Sequence, residues 1–128
     1  MTRALAMVAA LAATLAGCGP RPEEPVLAEF FNASRLRDRT ALQKIATTIF
    51  DPARDGIITG FTIQRVEAHD AGGRVTEEVA ISAPVKPLAG PTVEKQLVVT
   101  LEKDAAGARS GVPGRWIVTS FRVDAAAP

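Results

Sequence analysis

Tyrosine is absent from this chain, and cysteine, histidine and tryptophan each occur once. The single cysteine, Cys18, has no intrachain disulfide partner, so a folded domain must stand on its hydrophobic core alone. One histidine, His69, and no second thiol leave no His/Cys set at metal-ligand spacing, and no metal or other cofactor is expected. Without tyrosine, no phenolic hydroxyl can serve an oxyanion hole. Net charge is nearly absent too, with 15 Lys+Arg against 14 Asp+Glu. Such a balance makes no basic field, and nucleic acid is not expected as a partner. No apolar run reaches the about 20 residues of a membrane-spanning helix.

What the chain does have begins at its N-terminus. Arg3 precedes an apolar run from Leu5 to Ala16, closed by the small residues Ala16 and Gly17. A charged start, about a dozen apolar residues and small residues before a cut site make a secretory signal peptide. The residue after the cut is cysteine. Leu15-Ala16-Gly17-Cys18 resembles the lipobox of bacterial lipoproteins. That resemblance implies a diacylglyceryl group on the Cys18 thiol and cleavage between Gly17 and Cys18, with residues 1–17 removed. Two or three acyl chains, at ~0.8 kcal/mol per buried methylene, anchor stably where one holds only marginally. The expected partner is therefore a lipid bilayer at the cell envelope, in a Gram-negative host the outer membrane, with the domain facing the periplasm. The remaining 111 residues carry 14 cationic and 14 acidic side chains.

Residues 18–25 read as the lipidated cysteine and a linker. Three prolines among Gly19 to Pro25 favour extended backbone. Val26 to Phe50 reads as two helices. Leu27, Phe30, Phe31 and Ser34 form one stripe, and Leu42, Ile45, Ala46 and Ile49 keep the i, i+3, i+4, i+7 spacing of a buried face. Thr40 and Gln43 have the form of a capping box, and Asp51-Pro52 is the expected stop. From Ile57 the period becomes two. Ile57, Thr59, Phe61 and Ile63 alternate, and the step to Val66 predicts a bulge near Gln64-Arg65. His69 to Gly73 reads as a turn. Val75, Val79, Ile81, Ala83 and Val85 share a face of the next strand, with Glu77 among them. Leu97, Val99 and Leu101 mark a third strand and Trp116 to Val123 a fourth, whose inward face Trp116-Ile117-Val118 leaves ambiguous. Residues 125–128 read as a frayed tail. Two helices followed by four strands predict one α+β domain over 26–124, the helices packed on a curved antiparallel meander.

Phe30-x-x-Ala33, Arg37-Asp38, Ala41-Leu42 and Ile45, followed by Phe61-x-Ile63-x-x-Val66 and Trp116-x-Val118, resemble the NTF2-like, cystatin-like superfamily over Val26 to Val123. The resemblance implies a strongly curved sheet wrapped on a helix around a cone-shaped pocket. Its enzymes place acids in that pocket. Glu77, on an apolar strand face, is the candidate pocket carboxylate here, with Arg65 near the bulge as counterion and Asp38 as a second acid. Asp38 also suits a helix cap, and His69-Asp70 a solvated turn. Arg35, Arg37 and Arg39 are the densest cationic group and suit either an anionic ligand or a solvated face. The expected role is a lipid-anchored binding or assembly module of the envelope, with an envelope protein among its candidate partners. The alternatives are a small hydrolase or isomerase using a pocket carboxylate, and a structural subunit of an envelope complex.

Overall fold

A computed structural model describes residues 21–124. The expected signal peptide, with Gly17 and Cys18, and the expected tail 125–128 lie outside the described residues. Helix α1 spans Glu23–Leu36 and α2 spans Arg39–Ile45. Strands follow at Ile57–Ile58 (β1), Thr62–Ala71 (β2), Arg74–Lys86 (β3), Val93–Asp104 (β4) and Arg115–Val123 (β5). All pairings within the sheet are antiparallel. The fold is α+β, two helices on a curled antiparallel sheet that forms half a barrel.

The first helix starts earlier than the proline-rich linker predicts. Pro22 takes the N-cap position and Pro25 lies inside the first turn. A proline there removes no helical bond, because the first N–H groups of a helix have no internal acceptor. Leu27, Phe30, Phe31 and Ser34 are all buried, as their spacing predicts. The Ser34 hydroxyl accepts a hydrogen bond from the Phe50 N–H at 3.1 Å, which satisfies it in the core. The helix ends when Arg37 turns left-handed at φ 53°. Its N–H bonds Ser34 O and the Asp38 N–H bonds Ala33 O, a Schellman closure in which glycine is the usual residue.

The cap of α2 is Asp38, whose Oδ1 accepts the Ala41 N–H at 3.1 Å. The Thr40 capping box does not form, because the helix is already under way at Arg39. Asp38→Ala is therefore expected to cost about 0.5–2 kcal/mol and Thr40→Ala close to nothing. Urea midpoints of the two variants check this, and a larger loss at Thr40 would return the cap to it. The helix also stops short of the expected Asp51-Pro52. Ala46 is extended and bridges Val118 in parallel, and the Thr47 N–H bonds Val118 O at 2.9 Å. Thr47, Thr48 and Ile49 are β-branched and helix-averse, so the sheet takes this backbone instead. Ile49 consequently sits half-buried outside the helix, while Leu42 and Ile45 are buried on it.

The meander runs in order along β3, β4 and β5, and β1 and β2 share the other edge of β3. Ile58 pairs with Val85, and Thr62 pairs with Ser82. Pro84 lies between those pairs and has no N–H to donate, which matches the gap in the edge strand at residues 59–61. Before that gap the buried residue is Ile58, not Ile57. The expected bulge is present as a register shift between Ile63 and Arg65. His69 and Asp70 are strand residues of β2, contrary to the expected turn, which shrinks to Gly72-Gly73 at φ 61° and 80°. A two-residue loop with both φ positive matches the twist of the strands it joins. A second register shift between Thr100 and Leu101 settles the last strand: Val118 opposes Leu101 and Phe121 opposes Val99, so both face the helices.

All five phenylalanines meet between helices and sheet, with ring centroids 4.9–6.3 Å apart. They fill much of the space in which a cone-shaped pocket was expected. A small cavity of about 130 Å³ remains, lined among others by Phe31, Ile58 and Phe61. Among the described residues no helix is long and apolar enough to cross a membrane.

Candidate functional site: an arginine-lined cleft

A larger cavity lies outside that core. It measures about 650 Å³ and is open to solvent between α2, residues 47–54 and Arg109. Leu42, Ala46 and Ile49 supply an apolar lining. Four arginines surround it, Arg37 and Arg39 from the helix junction, Arg54 and Arg109 from two loops. Arg35 is not among them. The left-handed turn at Arg37 breaks the helical phase that would have aligned Arg35 with Arg39, and Arg35 instead donates to Asn32 Oδ1 at 2.8 Å.

Both loops are built rather than draped. The Asp51 carbonyl accepts the N–H groups of Arg54, Asp55 and Gly56, and its Oδ1 accepts the Ala53 N–H. Gly56 ends this turn at φ 98°, and a Cβ there would stand 2.6 Å from Val85 Cγ1. In the other loop, Asp104 Oδ2 accepts the N–H groups of Arg109 and Ser110 and the Ser110 hydroxyl, at 2.8–3.1 Å. These bonds, led by the Ser110 N–H, hold the Asp104 carboxyl below its usual range. Arg109 Nη1 then donates to the carbonyls of Gln43 and Ala46 at 3.1 and 3.4 Å, which seats its guanidinium on the C-terminal end of α2.

The charges are only partly compensated. Arg37 contacts Asp51 Oδ1 at 3.4 Å, a long ion pair, and Arg54 meets Asp55 Oδ2 at 3.0 Å. Arg39 is exposed and has no ion-pair or hydrogen-bond partner among the described residues. Arg109 spends donors on backbone carbonyls, which cancel no full charge. Two of the four positive charges thus lack a carboxylate. Guanidinium groups that converge on an open, partly apolar cavity suit an oxyanion ligand.

The three residues expected to share a pocket are placed apart. Asp38 caps α2. Arg65 sits opposite Ala80 and pairs with Glu67 at 3.1 Å, whereas Glu77 opposes Leu101 on the face that carries the core. Glu77 instead meets Glu23, which is buried in the first turn of α1. Its Oε2 is fully enclosed and has no hydrogen-bond partner. Burial, then the hydrogen bond and charge of Glu23, push the Glu77 carboxyl up to about 7, with Lys103 opposing them. The sequence put Glu77 on an apolar face but offered no sign of Glu23, which read as part of the linker.

On the outer face, Glu67, His69 and Glu78 bring ligand atoms within 4.8 Å of one another. Spacing along the chain conceals this group, since Glu67 and Glu78 meet only through the β2–β3 register. Arg65 already pairs with Glu67, and Arg122 stands 3.9 Å from Glu78. A cation would have to compete with both.

The cleft itself was half legible. Arg37 and Arg39 stood out in sequence, but Arg54 and Arg109 are isolated there and join them only through the loops. Comparison of the chain with protein-family models, with curated proteins and with solved structures finds no match.

Proposed function

We propose that this protein is a lipoprotein of the cell envelope, anchored through acylated Cys18, that acts as a binding module with the arginine cleft as its ligand site. The observation that carries the binding role is the convergence of Arg37, Arg39, Arg54 and Arg109 on one open cavity. The motif Leu15 to Cys18 carries the anchor, and in a Gram-negative host the destination is the outer membrane. Kinship with the NTF2-like, cystatin-like superfamily belongs to the same reading, supported by the helix pair on a curled sheet. An envelope protein docked on the domain is compatible with it.

An enzymatic role is the weaker reading. Glu77 has the shifted carboxyl of a general acid or base, but a proton-transfer group must reach its substrate. Glu77 lines neither cavity, and its Oε2 is enclosed. The experiment is expression at native level in a deletion strain. Cys18→Ser is expected to remain an unprocessed precursor without fatty-acid label, whereas Asp38→Asn, His69→Ala and Glu77→Gln combined are expected to restore the cellular role. A labelled, cleaved Cys18→Ser product overturns the anchor. A folded, membrane-bound triple variant with no rescue overturns the non-enzymatic reading.

A further inference from the structure

We propose that the cleft takes a phosphate-bearing amphiphile, an inference that rests on the anion-binding reading above. Charge is the first argument. With Asp51 and Asp55 set against Arg37 and Arg54, two positive charges remain in the cleft. A phosphate monoester carries about −1.5 to −2 at pH 7, which matches them, while a carboxylate matches only one. The donors argue the same way. A carboxylate has two oxygens and is saturated by one guanidinium fork, whereas a phosphate has three terminal oxygens and can engage several.

The apolar part follows from size and lining. A cavity of about 650 Å³ falls in the range of organic ligands and is far larger than an inorganic anion needs. Leu42, Ala46 and Ile49 give a tail something to cover, and Arg109, held by the end of α2, stands at their side.

Arg37 adds an independent point. It is the one residue other than glycine with positive φ among the described residues. An L-residue with a side chain is strained in that conformation, and glycine would relieve it. An arginine at such a site, with its guanidinium at the cleft, is what a binding requirement set against stability would leave.

The test is calorimetric titration of the full chain, purified in a neutral maltoside detergent, with octyl phosphate, octanoate and inorganic phosphate. Octyl phosphate and octanoate share a tail length class and differ in head, and inorganic phosphate has the head alone. Saturable binding of octyl phosphate is expected, with each of the other two at least about tenfold weaker. Arg39→Ala should weaken octyl phosphate by about 10- to 100-fold, the loss of a charge-assisted contact. Arg37→Gly should weaken it as well while the melting temperature stays level or rises, which no folding defect can imitate. Equal binding of inorganic phosphate overturns the amphiphile. Equal binding of octanoate overturns the phosphate but leaves the anion site standing. Binding of none of the three, or of octyl phosphate unchanged in Arg39→Ala and Arg37→Gly, overturns the anion site as well.

Discussion

Phe31→Ala is expected to remove about 3–5 kcal/mol of stability, the range for a buried aromatic truncated to alanine. Phe31 is 3 % exposed. Its ring lies 5.2 Å from Phe30, 5.4 Å from Phe50 and 5.8 Å from Phe61, so it ties α1 to the loop after α2 and to the segment between β1 and β2. Truncation leaves a void bounded by three other rings that are themselves held by the helix and the sheet, which limits collapse. Ile45→Ala is expected to cost about 2–5 kcal/mol by the same mechanism. Against a total of about 5–15 kcal/mol for a domain, either change is severe. Without a disulfide among the described residues, nothing covalent limits the loss. Urea denaturation monitored by circular dichroism measures both. A midpoint for Phe31→Ala within error of the parent would mean that the aromatic cluster does not hold the helices to the sheet.

Glu77→Gln is expected to abolish a pH dependence of stability between about pH 5 and 8. The folded protein holds the Glu77 proton more tightly than the unfolded chain, because its carboxyl is raised to about 7 from an ordinary 4.5. Stabilisation from that proton is therefore complete below about pH 4.5 and is lost as pH rises through about 7. The parent should lose about 1–3 kcal/mol across this window, a range held below the full linkage value because the residue is only half-buried. The groups that face Glu77 are Glu23 from α1 and Lys103 from β4, with Trp116 of β5 beneath the Lys103 amine at 5.3 Å. Glutamine cannot ionise and can still donate to the Glu23 carboxylate, so the variant should be flat with pH and more stable than the parent at pH 8. Asp104 acts with the opposite sign. Its lowered carboxyl contributes stability that is lost only as the solution becomes strongly acidic, outside the window. Thermal melts of both proteins at pH 5 and pH 8 decide the matter. A parent that gains stability toward pH 8 would show that Glu77 is not the enclosed acid described here.

Much of the architecture was legible because burial writes itself into period. The stripe Leu27, Phe30, Phe31 and Ser34 predicts the buried face of α1, and the alternation Val79, Ile81, Ala83, Val85 and Leu97, Val99, Leu101 predicts the inner faces of β3 and β4. Both periods follow from backbone geometry alone. The bulge before Val66 was legible for the same reason, since one extra residue shifts the phase. Element ends were not. Glu23 to Pro25 looked like linker because proline composition does not tell the first turn of a helix from an extended segment. Ala46 to Ile49 kept helical spacing yet left the helix, because Val118 and Thr119 offered their carbonyls to Thr47.

What the sequence determined by itself was therefore the class of fold, the order of its elements, the buried faces of α1, β3 and β4 and, through Leu15 to Cys18, the expectation of a lipid anchor. These are local properties, written in spacing and in contiguous motifs. What only the tertiary structure decided was which charged groups meet. Glu23 finds Glu77 across 54 residues, and Arg109 reaches the end of α2 from 63 residues away. Glu67 joins Glu78 through strand register, and Arg54 enters the cleft through a turn closed on Asp51. A charged side chain needs no period to be soluble, so its place in the sequence carries no trace of the partner. Electrostatic interaction falls off with distance in space, and distance in space is set only when the chain has packed.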